Sequence, residues 1–77
     1  MDTPKIWRTG DAIAIQCGYR SIPGSVILAS ENGASLMLSF EAILDGHAGM
    51  MPVLRDDDGL YHSVVTGNLV EFTEPKT

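Results

Sequence analysis

An Asn-Gly pair between two apolar runs limits what this chain can build more than any other feature. Residues 26–29 (VILA) and 36–40 (LMLSF) flank Asn32-Gly33. Both central residues of a two-residue type I′ turn need positive φ, which Gly takes freely and Asn tolerates. The pair therefore predicts a β-hairpin over residues 25–40. With Asn32 and Gly33 at the centre, Ala29 faces Leu36, Leu28 faces Met37 and Ile27 faces Leu38. One face then carries Ile27, Ala29, Leu36, Leu38 and Phe40, a core face. The other carries Val26, Leu28, Ser30, Ser35, Met37 and Ser39 and is only half polar.

The rest of the chain reads as further short strands. Residues 1–9 are a polar lead-in in which Trp7, the sole tryptophan, is expected to cap one end of the core. After a turn at Gly10-Asp11, residues 12–17 (AIAIQC) alternate strictly, with Ile13, Ile15 and Cys17 on the inward side. Residues 18–25 read as a loop, with Pro23-Gly24 suited to a type II turn and Tyr19-Arg20 displayed on it. Residues 41–44 fit either an extension of the third strand or one helical turn. His47 falls between Gly46 and Gly49, on what reads as a solvated loop.

Residues 50–55 (MMPVLR) read as a strand that Pro52, lacking a donor, assigns to an edge. Asp56-Asp57-Asp58-Gly59 makes a turn with Gly in the left-handed region, followed by a strand over LYHSVV, a turn at 66–68 and a last strand, LVEF. Residues 74–77 are a loosely ordered tail. The expected fold is one all-β domain over residues 1–77, a small barrel of five to six short antiparallel strands.

Composition narrows the function classes. The chain has 77 residues and can hold one small core, burying about 60% of its unfolded surface. A single cysteine, Cys17, forms no internal disulfide and suits a reducing cytoplasm. The net charge of −5, with five basic residues and no two adjacent, argues against nucleic acid as a partner. No apolar run reaches bilayer length, and the N-terminus lacks the apolar core of a signal peptide, so no membrane partner is expected.

No catalytic, cofactor or metal site is expected. The run 56–58 lacks the alternate spacing of a calcium loop. Cys17, His47 and His62 form no ligand or nucleophile–base pattern, so an enzyme would need several chains to build a shared pocket. The side chains expected at an interface are Tyr19, Val26, Leu28, Met37, Met50, Met51 and Tyr61. The hairpin's half-apolar second face makes a homodimer the simplest partner, with docking on another protein as the alternative. A second reading is a small-molecule binder or enzyme whose pocket forms between chains, and a third is an acidic inhibitor of a nucleic-acid-binding protein.

Gly10-Asp11 before the first strand and Pro23-Gly24-Ser25-Val26 entering the second resemble the openings of SH3-like and KOW-type barrels, over about the first half of the chain. That resemblance implies a small SH3-like barrel. Residues 46–67 (GHAGMMPVLRDDDGLYHSVVTG) resemble short uncharacterised bacterial and prophage-type proteins, which implies no particular activity. The plasmid-type trimethoprim-resistant dihydrofolate reductase is also a short barrel assembled from several chains, but its Val-Gln-Ile-Tyr run has no counterpart here.

Overall fold

Tight turns fold the chain back on itself at nearly every step, so its strands lie side by side in chain order. The computed structural model describes residues 5–75. Within them run β1 (Ala12–Cys17), β2 (Arg20–Ala29), β3 (Ser35–Leu44), β4 (His47–Arg55), β5 (Tyr61–Ser63), β6 (Leu69–Val70) and β7 (Phe72–Thr73), with no helix. The antiparallel sheet has the order β6-β5-β4-β3-β2-β1-β7. Its two ends are consecutive in sequence: Val70 and Leu69 pair with Tyr61 and His62, while Phe72 and Thr73 pair with Ile15 and Ala14. Between them the Glu71 carbonyl accepts the Gln16 amide at 2.8 Å. Residues 69–73 thus draw both edges together into a nearly closed barrel. The expected all-β barrel forms, with seven strands rather than five or six because LVEF divides at Glu71. The first four residues of the lead-in and the last two of the tail lie outside the described residues.

Inside the barrel, Ile13, Val26, Leu38, Met51 and Val53 are fully enclosed. Each is worth about 1.5–3 kcal/mol in apolar burial. Trp7 covers one end as expected, its ring 5.2 Å from that of Phe72, which lies 5.1 Å from Tyr61. The Tyr61 hydroxyl donates to the Gly33 carbonyl, tying β5 to the turn between β2 and β3.

The central hairpin keeps its expected register at the tip, Ala29 opposite Leu36 and Leu28 opposite Met37, but Val26, not Ile27, then pairs with Leu38. A β-bulge at Ile27 causes the change and reverses which side chain points inward. Val26 is buried and Ile27 exposed. The turn also differs. Asn32 lacks the positive φ of a type I′ centre, and Gly33 (φ 73°) donates its N–H to the Ser30 carbonyl within the connection 30–34. The paired positive φ values occur instead at Asp45 (51°) and Gly46 (76°), joining β3 to β4.

Residues 41–44 therefore belong to β3, not to a helical turn. The eight-residue loop is absent too: β1 passes through a two-residue turn straight into β2, which contains Pro23 and Gly24. Cys17, at the end of β1 beyond the core, is exposed rather than inward.

Both strand prolines sit where a ladder runs out. Hydrogen bonds alternate in direction along a strand. Val26 bonds toward β1, so Pro23 turns its nitrogen to the β3 side, past the last pair, Gly24 with Phe40. Arg55 bonds toward β3, so Pro52 faces the β5 side, past the last pair, Val53 with Ser63. Pro52 consequently occupies a strand flanked on both sides, not the expected edge.

Gly24 is required by close approach, because a methyl group there would run into the Ser39 carbonyl oxygen. Gly33 combines its left-handed φ with a wall of Ile6 and Trp7, whose Cγ2 and backbone N would lie 3.2 and 3.3 Å from an added Cβ. Gly24→Ala should lower stability by about 1–3 kcal/mol, read as a lower urea midpoint at unchanged slope. Gly33→Val should cost at least as much, since a β-branched residue is strained at positive φ. A wild-type midpoint in either variant would contradict the corresponding contact.

Candidate functional site

The outer surface of β2, β3 and β4 carries the most distinctive arrangement outside the core. Strand pairing sets Leu28, Met37 and Pro52 in one row, Ser25, Ser39 and Met50 in the next on one side, and Ser35, Leu54 and His62 on the other. Leu28 is 64% exposed, Met50 53% and Leu54 49%, and Met37 and Pro52 are half-buried. His62, at the corner, is the one titratable side chain in these rows. The charged residues of the three strands are Arg20 and Arg55 at strand ends and Glu41 where the β3–β4 register breaks.

The expected interface residues divide between the two sides of the sheet. Leu28, Met37 and Met50 come together on this outer face, joined by Pro52 and Leu54, which the sequence pattern had not singled out. Val26, Met51 and Tyr61 are core residues. The Ile27 bulge turns Val26 inward, and strand alternation sends Met51 in as it sends Met50 out. The Tyr61 ring lies under Phe72 with its hydroxyl spent on Gly33. Tyr19 is fully exposed at the tip of the β1–β2 hairpin, at the opposite end of the strands from the turn at Gly33.

Two polar clusters involve the histidines. His47 is the first residue of β4, half-buried, not a solvated loop residue. Its Nδ1 faces the carbonyls of Asp45 at 2.9 Å and Leu44 at 3.3 Å, which assigns the proton to Nδ1 and leaves Nε2 to accept from the Ser63 hydroxyl at 3.4 Å. A hydroxyl facing an imidazole has the outline of a nucleophile–base pair. Ser63, however, is 2% exposed and already accepts the amides of Val65 and Thr66 at 3.2 Å. The cluster is a clasp. Asp45 completes it by accepting the Thr66 hydroxyl and the Asn68 amide, fastening the β3–β4 turn to the β5–β6 turn.

His62 makes the second cluster. Its Nε2 lies 2.8 Å from Asp56 Oδ2 and its Nδ1 3.1 Å from the Gly67 carbonyl, so both ring nitrogens meet acceptors and the imidazolium satisfies both. The Asp56 hydrogen bond, then that of Gly67, raises the His62 pKa above its ordinary value. Asp56 is lowered, chiefly by the Leu60 amide at 2.9 Å and also by His62 and the Asp58 amide. Both Asp56 oxygens are thereby occupied within the turn anticipated for residues 56–59, whose Gly59 has φ 86°. Among the described residues no three His, Cys, Asp or Glu side chains gather as metal ligands. Nor is any helix there long and apolar enough to cross a membrane.

Compared with known proteins, the chain matches no family model, no curated protein and no solved structure.

The two ionisations give stability a defined pH window. A raised His62 pKa contributes stability in full below about 6.5, the unfolded value, and loses it as pH rises through the folded value. A lowered Asp56 pKa contributes above about 3.9 and loses it as pH falls through its folded value. The pair is therefore at full strength between these limits. The urea-midpoint gap between wild type and His62→Gln should be widest near pH 5–6 and shrink as pH rises through the folded pKa. A gap constant into the alkaline range would contradict the ion pair.

Proposed function

We propose that this barrel is a self-association module whose contact surface is the outer face of β2, β3 and β4. The observation that carries this reading is the row Leu28–Met37–Pro52, with Met50 and Leu54 beside it, free of charge in a chain of ten acidic and five basic residues. Covering these side chains is worth about 1.5–3 kcal/mol for each one fully buried, and the barrel's own core is already filled from the other side of the same strands. An uncharged apolar face fits a surface of the same kind, which a second copy supplies. A two-fold axis through the row needs no further sequence. The acidic turns at Glu31, Asp45 and 56–58 stand at the ends of the strands, so copies meeting face to face keep their net charges of −5 apart at the rim. The single exposed Cys17 suits a reducing, cytoplasmic setting.

Light scattering behind size exclusion should give the mass of two chains in the micromolar range. Leu28→Glu, at a site mostly open to solvent, should give the mass of one chain with an unchanged circular dichroism spectrum. A wild-type mass of one chain throughout that range would overturn the proposal.

A further inference from the structure

A second, separate site lies at the end of the barrel where the β2–β3 and β4–β5 turns meet. Lys5, Ile6, Trp7, Asn32, Arg55, Gly59 and Tyr61 line a cavity of about 510 Å³ there. That is within the range of small-molecule sites, about 300–1,000 Å³. Its walls are apolar and aromatic, and its charged lining is wholly basic. Twice as many acidic as basic residues are spread through the chain, yet two of the five bases and no carboxylate among the described residues line this cavity.

The two cations are not equivalent. The Lys5 ammonium is paired with Glu74 and sits 4.7 Å from the centre of the Trp7 ring, so its charge is engaged. Arg55 is anchored by its own amide to the Ala34 carbonyl and by Nη1 to the Asn32 carbonyl at 3.3 Å. Among the described residues it makes no ion pair, which leaves most of its planar fork of N–H donors for a ligand. The nearest acidic turn does not compete through Asp56, whose oxygens are held by His62, Asp58 and Leu60. Gly59, with no side chain, lines the mouth on that side.

We propose that this cavity binds a small organic anion with a flat apolar body, an aromatic carboxylate. Its carboxylate takes the two-pronged hydrogen bond that a guanidinium offers, and its ring lies against Ile6, Trp7 and Tyr61. The site belongs to one chain and does not depend on the self-association proposed above.

Trp7 is the sole tryptophan, so its indole N–H gives one resolved resonance from the wall of this cavity, and Arg55, which the neighbouring concavity at Leu69–Thr73 lacks, ties the response to this site. Benzoate, titrated into ¹⁵N-labelled wild-type protein to the millimolar range, should shift that resonance and the Arg55 and Gly59 amides along one saturating curve. Benzamide, of the same shape but uncharged, should not. Arg55→Gln should weaken benzoate by about tenfold or more, and Arg55→Lys by less. The comparison of the two probes on wild-type protein stands even if the variants fold poorly. No saturable shift with benzoate, an equal response to benzamide, or wild-type affinity in folded Arg55→Gln would overturn the site.

Discussion

Closure of the sheet by residues 69–73 is the contact on which the rest of this structure depends. A small antiparallel sheet left open exposes two rows of unpaired backbone groups and one side of its only core. Here five consecutive residues satisfy both edges, pairing with Tyr61 and His62 on one side and with Ala14 and Ile15 on the other. Closure also seals the core. Val70 comes to rest inside and Phe72 packs between Trp7 and Tyr61, so the aromatic end is assembled only when both edges meet.

Closure requires curvature, which a β-bulge supplies by bending the strand that carries the extra residue. The bulge at Ile27 bends β2, and the break between Ser39 and Ile43 bends β3 against β4. Once bent, the long strands have a concave side filled with Val26, Leu38, Met51 and Val53 and a convex side on which Leu28, Met50 and Leu54 stay exposed among the described residues. The apolar row on that convex side therefore has a physical origin. These three strands alternate between two apolar sides, and one domain of this size has a single interior.

Much of this was legible in the residues, for reasons that differ by position. Leu36, Leu38 and Phe40 follow strict alternation on a regular strand, so their burial could be read directly. Val26 and Ile27 could not be told apart, because both are β-branched and apolar and a bulge leaves no mark in composition. Pro23-Gly24 carries a strong local turn signal, yet tertiary packing overrides it. The proline's missing donor falls past the end of a ladder, and the glycine admits the Ser39 carbonyl. Leu28 and Met37 could be set on one outward face from the hairpin's alternation, whereas Met50, an interface candidate without a place, and Pro52 and Leu54 joined them only once the β3–β4 register was known. The end cavity had no sequence signal, since Trp7, Asn32, Arg55 and Tyr61 arrive from four separate segments.

Native-state hydrogen exchange tests the closing role of residues 69–73 most directly, because the Gln16 amide is held by the Glu71 carbonyl alone. If closure is part of the cooperative fold, Gln16 exchanges only through global unfolding, with the same opening free energy as Leu38 in the centre of the sheet. Gln16 exchanging orders of magnitude faster than Leu38 would show that the barrel opens at this seam while the core persists, contradicting the account.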